Sequence, residues 1–169
     1  DLFQSPLFRS ADWKRDADRL IRGLPKETQK VIRYCHEIGA TDAQVYQHAM
    51  KEYYLKHVLR NRRKLDAMFT RKNPNGAKIY QYMWGPSEFE PTGTLKTYDR
   101  VKDLKRISVP SLIICGEFDE ATPETGIKYA NRIPGASFAE IKGASHVVWD
   151  ERPAQVRRVI EDFLKQVES

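Results

Sequence analysis

The sequence predicts an α/β fold in which a helical first half precedes a short parallel β-sheet. Two observations support this class. Up to about residue 107 the apolar residues recur with the 3.6-residue period of amphipathic helices. Beyond it, strand and helix patterns alternate, which is typical of a parallel sheet with connecting helices.

The first half predicts a bundle of helices and contains no strand signal. The first helix begins near Ser10, which can cap it, and ends at Gly23 and Pro25. A second helix stops at Gly39, and Thr41 caps a third. Their apolar sides carry Trp13, Ala17, Leu20 and Ile21, then Val31, Tyr34, Cys35 and Ile38, then Val45, Ala49 and Tyr53.

The second half predicts two strands, each followed by a loop and a helix. The apolar run Pro110–Cys115 is typical of a strand that is buried on both faces. Pro123 can occupy the first turn of a helix that continues through Ile133. Residues 137–141 form the second strand, and Pro153 opens a final helix that turns Val156, Val159, Ile160 and Phe163 inward.

Composition excludes several classes of protein. The chain has 169 residues, of which 40% are hydrophobic and 31% charged, enough for one moderate core. No window approaches eighteen apolar residues, and DLFQSPLFRS at the N-terminus lacks the features of a signal peptide, so we expect no contact with a membrane. Two widely separated cysteines, Cys35 and Cys115, favour a reduced, cytoplasmic setting.

The net charge of +6 raises the question of nucleic-acid binding. The densest basic run, KHVLRNRRK at residues 56–64, lies in a helical pattern with an apolar stripe of Leu55, Val58, Leu59 and Leu65. Such a run is typical of a solvated helix face. No reader motif accompanies it, so no nucleic-acid partner is expected.

Both polar loops of the second half follow a predicted strand: GEFDEATP after the first and KGASHVVWDERP after the second. Such ends meet at one edge of a parallel sheet, so we expect Asp119 and His146 to be neighbours. An Asp can accept the Nδ1 proton of a His, whose Nε2 then takes a proton from a nucleophile. From the pair alone, a turn-capping Asp119 and an ordinary loop histidine are equally open.

Three longer motifs make this pattern specific. They are MWGPSEFEPTGTLKTYD at residues 83–99, GEFDEATPET at 116–125 and GASHVVWDERP at 143–153. Together they resemble the proline iminopeptidase (prolyl aminopeptidase) family of α/β hydrolases, over essentially the whole chain. The resemblance implies a partial α/β-hydrolase fold: a helical cap at residues 1–98, then the last two strands and helices of the core at 99–169.

The resemblance also implies roles for four residues. Asp119 matches the acid of the catalytic triad, and His146 matches its general base and acid. Two glutamates of the family hold the free α-amino group of the substrate, and they match Glu88 and Glu120. A cationic amine needs a confined anionic partner, and an internal peptide bond offers no such cation. The remaining acidic residues of the loop, Glu117 and Glu124, are expected to be structural or solvated.

The nucleophile of the family has no counterpart in this sequence. It stands in a G-x-S-x-G elbow N-terminal to the cap, and the serines of GPSEF and GASHV do not fit that pattern. The resemblance therefore implies a serine exopeptidase that releases N-terminal proline or another small residue. Its serine would come from an N-terminal segment, in cis or as a separate chain. The expected substrate is a peptide with a free N-terminus, and no cofactor is needed.

Two alternatives stay open. Another α/β-hydrolase activity, such as ester, amide or epoxide hydrolysis, keeps Asp119 and His146 but has no use for Glu88 and Glu120. A non-catalytic fragment or pseudoenzyme uses none of them. In either case two strands make a marginal sheet, so the chain alone is expected to be neither catalytic nor a stable monomer.

The remaining histidines and the cap aromatics carry weaker expectations. His36, His48 and His57 lie on helical segments without an i, i+4 pair, so no metal site is predicted. The aromatic residues of the cap motif could line a proline-sized pocket, although each alone is expected in the cap core. They are Tyr82, Trp84 and Phe89.

Overall fold

The computed structural model describes residues 1–70 and 74–168. Its first half contains strand β1 (Leu2–Gln4) and helices α1 (Ser10–Arg22), α2 (Lys26–Glu37), α3 (Gln44–His57), α4 (Arg62–Thr70) and α5 (Pro74–Met83). A 3₁₀ helix (Val101–Arg106) leads to strand β2 (Leu112–Gly116), helix α6 (Pro123–Ala130), strand β3 (Ser137–Ile141) and helices α7 (Val148–Glu151) and α8 (Pro153–Glu168). The predicted alternation of strands and helices in the second half is confirmed.

The described strands form a parallel sheet in the order β1-β2-β3. Leu2 lies opposite Leu112, and Leu112 lies opposite Ser137. The expectation of a first half without strands was wrong at β1. Three residues are too few to show the alternation of a strand, and the partner of β1 lies about 110 positions further along the chain. The division at residues 98 and 99 stays a prediction, but β1 adds a strand from before it to the sheet.

Strand β2 is the centre of the second half. All five of its residues are buried, as a strand with neighbours on both edges and helices on both faces requires. Because side chains alternate along a strand, Ile113 and Cys115 pack with Tyr129 of α6 on one face. On the other face Leu112 and Ile114 belong to the cluster that includes Val156 and Phe163 of α8.

The helices α1 to α3 share a separate core. Its members are Ala17, Ile21, Leu24, Ile32, Cys35, Tyr46, Ala49, Met50, Tyr53, Val58 and Phe89. The predicted stripe of the second helix was wrong in part: Tyr34 and Ile38 are exposed, whereas Ile32 and Cys35 are buried. The polar Gln29 is buried beside them because its amide donates to the carbonyl oxygens of Arg22 and Leu24.

The periodicity predicted that the basic run at residues 56–64 lies in one helix, and this prediction was wrong. Helix α3 ends at His57 and α4 begins at Arg62, and the intervening Val58 and Leu59 are buried. The break leaves the last carbonyl groups of α3 without partners in the helix. Those carbonyls bind the loops that carry Asp119 and His146.

Helix length bears on the question of membrane insertion. The longest helix in the described ranges, α8, has 16 residues, and a span needs about 20 apolar residues. No helix within residues 1–70 and 74–168 has the length and apolar character to cross a bilayer.

Candidate active site

Asp119 lies in the turn that follows β2, and the fold satisfies its carboxylate completely. Oδ1 accepts hydrogen bonds from His146 Nδ1 and from the Ala121 backbone N–H, both at 2.9 Å. Oδ2 accepts from the Gly116 N–H at 3.2 Å and from Ser5 Oγ at 2.5 Å. The side chain is buried. Four donors around a buried carboxylate satisfy its acceptor positions and fix its orientation.

His146 follows β3 and meets Asp119, as expected from the two strand ends. Because the carboxylate can only accept, the ring donates from Nδ1, and Nε2 is the nitrogen that can take a proton. Burial lowers the pKa of His146, but the hydrogen bond and charge of Asp119, with a smaller contribution from Glu88, outweigh burial and raise it. The edge of the ring also faces Trp13, with ring centroids 6.5 Å apart.

The loop that carries His146 is held close to the end of β2. A Cβ at Gly116 would collide with the carbonyl oxygens of Ala144 and Ser145, so only glycine permits this approach. Glu151 of α7 holds the loop from the other side. It accepts from the Ser145 N–H and, at 3.0 and 3.1 Å, from Ser145 Oγ.

The end of helix α3 joins the two loops. The carbonyl oxygen of His57 accepts the N–H of Glu120 at 3.3 Å and that of His146 at 3.1 Å, and Val58 O accepts the N–H of Val147 at 3.0 Å. The His57 ring donates from Nδ1 to Phe118 O at 2.9 Å, and burial lowers its pKa. A helix terminus from the first half therefore fixes the backbone on both sides of the Asp–His pair.

Glu120 follows Asp119 directly, but its surroundings are different. It is buried, and its Oε2 has no hydrogen-bond partner within residues 1–70 and 74–168. The Tyr53 hydroxyl lies beside it, outside hydrogen-bonding geometry. Burial raises the pKa of Glu120 well above its ordinary value, and the charges of Glu88 and Asp119 raise it further. A buried acceptor without a partner is a place where a donor can bind.

Glu88 also lies in this region, beside Glu120, and four aromatic side chains donate hydrogen bonds to it. Its Oε2 accepts hydrogen bonds from the hydroxyls of Tyr54 at 3.0 Å and Tyr80 at 2.8 Å. Burial and the charge of Glu88 raise the pKa of both tyrosines, so both stay protonated as donors. The indole N–H groups of Trp13 and Trp84 donate to the Glu88 carbonyl oxygen at 2.9 and 3.1 Å.

An apolar cavity of about 460 Å³ opens beside Glu88. Its lining consists of Leu7, Trp13, Gly76, Ile79, Tyr80, Met83, Trp84, Glu88 and Leu95. Glu88 is the acidic residue of this lining, so an apolar group in the cavity would place an attached cation next to its carboxylate.

The structure brings together Asp119, His146, Glu88 and Glu120, the four residues singled out from the sequence. The other two glutamates of the loop have partners elsewhere: Glu117 accepts from the Gly143 N–H at 2.9 Å, and Glu124 pairs with Arg19. Among the cap aromatics considered, Trp84 lines the cavity, whereas Phe89 lies in the helical core and Tyr82 is exposed.

The serines of the two motifs are engaged away from the pair. Ser87 Oγ lies 2.9 Å from His36 Nε2 and accepts from the Phe89 N–H, and Ser145 Oγ donates to Glu151. Within the described ranges, no group of three or more His, Cys, Asp or Glu side chains could hold a metal ion.

Sequence reasoning missed the residues that support the site. They are Ser5, Tyr53, Tyr54, Tyr80, Trp13 and the carbonyl of His57. Tyr80 lies eight positions before Glu88, but each of the others acts across 30 or more positions of the chain, and none of the six stands in a motif. Only the local sequence SP after the short strand β1 marks Ser5 as a turn residue.

Known proteins share this arrangement of elements. A proline iminopeptidase of Heyndrickxia coagulans is 38% identical to this chain, in an alignment that covers 98% of the chain and 58% of the relative. The chain resembles the proline iminopeptidases over nearly its whole length. The structure of proline iminopeptidase from Mycobacterium smegmatis superposes on it with a TM-score of 0.83 at 28% identity, covering 98% of this chain and 56% of the other. No family model matches the sequence.

A second solved structure, that of VinJ, superposes with a TM-score of 0.89 at 29% identity and covers 98% of this chain and 57% of VinJ. The chain therefore has a partial α/β-hydrolase fold, as predicted. It spans somewhat more than half the length of these relatives of the proline iminopeptidase group.

Proposed function

We propose that this chain forms the cap and the C-terminal core of a serine exopeptidase that releases N-terminal proline, or another small residue, from peptides. The serine would be supplied by an N-terminal α/β-hydrolase segment, in cis or as a separate chain. We use "completed enzyme" for this chain together with such a segment. The relatives named proline iminopeptidase, which are longer than this chain, support the proposal.

The observation that carries the proposal is the pair of acidic side chains beside His146. Oε2 of the buried Glu120 lacks a partner among the described residues, and Glu88 lies close enough to raise the pKa of Glu120. Two carboxylates that lie close together in a buried setting repel each other, which raises the pKa of one of them, and a cation bound between them removes the repulsion. The α-ammonium group of a peptide is such a cation, and a substrate without a free N-terminus cannot supply it.

The Asp–His pair supports the chemical step. The serine of the completed enzyme would attack the carbonyl carbon of the first residue while His146 Nε2 takes its proton. His146 would then give that proton to the leaving amine of the shortened peptide. Water would hydrolyse the acyl-enzyme, again with His146 as the base. Asp119 would hold the ring through Nδ1 and stabilise the imidazolium that forms.

The cavity beside Glu88 supports an apolar first residue. Its walls are the indole rings of Trp13 and Trp84 and the side chains of Ile79 and Met83. A pyrrolidine ring has no polar atom besides its amine, so it suits such a wall while the amine reaches Glu88. The volume also accommodates small apolar residues other than proline.

The test compares two substrates that differ only at the amine. The completed enzyme should hydrolyse a proline arylamide and should fail to hydrolyse the N-acetylated form, because the acetyl group removes the cation. Equal hydrolysis of both would contradict an exopeptidase and would favour a general esterase or amidase. Failure to hydrolyse either, with the serine in place, would favour a non-catalytic protein.

A second test concerns the lone chain. We expect residues 1–169 alone to hydrolyse no proline arylamide and to unfold without a cooperative transition, since β1 and β3 each have a sheet edge without a partner strand in the described part of the chain. Adding the N-terminal segment should restore folding and activity together. Hydrolysis by the lone chain, or its cooperative unfolding as a monomer, would contradict this arrangement.

A further inference from the structure

Two consecutive residues at the end of β1 contact both members of the Asp–His pair. Ser5 Oγ donates to Asp119 Oδ2 at 2.5 Å, and Gln4 Nε2 donates to the backbone carbonyl of His146 at 2.8 Å. Gln4 Nε2 also donates to Ser5 Oγ. A chain of donors therefore runs from the Gln4 amide through the Ser5 hydroxyl to the Asp119 carboxylate, and its branch fixes the loop of His146.

The backbone of Ser5 is held in an unfavourable conformation. Its φ is +47°, in the left-handed region that side chains other than glycine rarely adopt. The residue is nevertheless buried, and its N–H continues the sheet by donating to Ile114 O at 2.8 Å. Glycine would adopt this φ at lower cost in free energy, and what serine adds at this position is the hydroxyl that donates to Asp119.

The Ser5 hydroxyl also helps to fix the plane of the Asp119 carboxylate, a role that the turn itself does not require. Asp119 Oδ1 is shared between His146 and the Ala121 N–H, so the carboxylate plane must be fixed for the bond to His146 to stay short. On Oδ2 the Gly116 N–H lies at 3.2 Å, which is a longer contact than that of Ser5. Ser5 is therefore the nearer of the two donors that hold Oδ2 of Asp119.

We infer that Ser5, supported by Gln4, is a positioning residue of the hydrolase: it orients the Asp119 carboxylate, while Gln4 orients the loop of His146. This inference rests on the proposed function for its effect on turnover. Ser5 touches neither Glu88 nor Glu120 through any described hydrogen bond, so its role concerns the chemical step and not the binding of the amine.

The decisive variant is Ser5→Gly in the completed enzyme, because glycine adopts φ +47° without strain and removes only the hydroxymethyl group. We expect kcat for a proline arylamide to fall about ten- to a hundredfold, as misplacement of a catalytic group does, with KM unchanged. Gln4→Leu, at an exposed side chain, should lower kcat by a smaller factor. Ser111→Ala, which removes another buried serine hydroxyl at the start of β2, is the matched control and should leave kcat unchanged.

A spectroscopic measurement keeps the two proposals separate. The Nδ1 proton of His146, followed by proton NMR without any substrate, reports the contact with Asp119 directly. In Ser5→Gly and Gln4→Leu this signal should broaden and exchange faster with water than in the wild type, while Ser111→Ala leaves it unchanged. An enzyme that hydrolyses no proline arylamide would refute the proposed function, and the Nδ1 signal alone would then decide on Ser5.

Two results would overturn the inference. One is a wild-type Nδ1 signal and wild-type kcat in Ser5→Gly. The other is an equal loss of kcat in Ser5→Gly and Ser111→Ala, which would mean that loss of any buried hydroxyl disturbs the sheet. If Ser5→Gly does not fold, Gln4→Leu decides: a wild-type Nδ1 signal in that variant would also overturn it.

Discussion

Asp119 and Glu120 are adjacent acidic residues, and both are buried, but their carboxyl groups have opposite hydrogen-bonding environments. The carboxylate of Asp119 receives four hydrogen bonds, from Gly116 at the end of β2, Ala121 in its own turn, Ser5 directly after β1, and His146. Oε2 of Glu120 receives none within residues 1–70 and 74–168, and its neighbours include the acidic Glu88. Two consecutive residues therefore have opposite surroundings.

The contrast shows how a buried carboxylate can be assigned to the fold or to a ligand. A carboxylate whose acceptor positions are filled by protein donors is already stabilised as an anion, and it can orient a partner such as His146. A buried carboxyl group left without donors tends to hold a proton, and its anion is stabilised only when a donor or a cation binds. By this criterion the acceptor positions of Asp119 are filled within the described residues, whereas Oε2 of Glu120 lacks a donor among them.

The largest expected effect on activity comes from removing His146, the side chain that Asp119 holds. In the completed enzyme, His146→Ala should lower kcat by about four orders of magnitude, because no other base is placed to take the proton of the serine. His48→Ala, at an exposed position of α3, is the control and should keep full activity. Retention of more than about a tenth of the wild-type kcat in His146→Ala would show that His146 is not the base.

The next effect concerns the amine site. Glu88→Gln and Glu120→Gln keep the shape of each side chain and remove its charge. Each should lower kcat/KM for a proline arylamide about ten- to a hundredfold, since a hydrogen bond to a charged group contributes about 1.5–3 kcal/mol. Glu124→Gln, at an exposed glutamate that pairs with Arg19, is the matched control. Normal hydrolysis by both site variants would refute the assignment of the amine.

A smaller effect should appear in the pH dependence of binding. The pKa of Glu120 is raised in the free protein, and a bound ammonium group favours its ionised form, so binding releases a proton. Affinity for prolinol, a free amine without a scissile bond, should therefore rise with pH, by at most about tenfold per unit, until Glu120 is ionised in the free enzyme. In Glu120→Gln the inhibition constant should lose this dependence. If the inhibition constant of Glu120→Gln depends on pH as that of the wild type does, Glu120 does not face the amine.

The comparison also explains what the sequence could predict. Asp119 and His146 follow two strands whose apolar runs are legible, so their meeting at one sheet edge follows from parallel topology. Glu88 and Glu120 required the longer motifs and their resemblance to a family. Nothing in the sequence distinguished the four donors around Asp119 from the absence of a partner at Glu120 Oε2.

The missed features depend on contacts between distant parts of the chain. Strand β1 has three residues and exists because β2 lies beside it, so neither length nor alternation reveals it. The break of α3 after His57 lies inside a continuous helical pattern. It is stabilised by the N–H groups of Glu120 and His146, which are more than 60 positions away. Propensity and periodicity describe local preference, and these two elements are determined by tertiary contacts.

The most direct test of the contrast is the unfolding midpoint of Asp119→Asn and Glu120→Gln in the completed enzyme, measured together at neutral pH without ligand. Asp119→Asn places an amide N–H₂ against existing donors and should destabilise the fold by about 3 kcal/mol, as loss of a buried ionic partner does. Glu120→Gln removes a carboxyl whose pKa is raised from 4.5 on folding. Its contribution to stability is fully present below the unfolded pKa and is lost as pH rises through the folded pKa, so the amide should stabilise the fold by about 0.5–1 kcal/mol. Opposite shifts of the midpoint are the predicted result, and a similar fall in both variants would contradict the account.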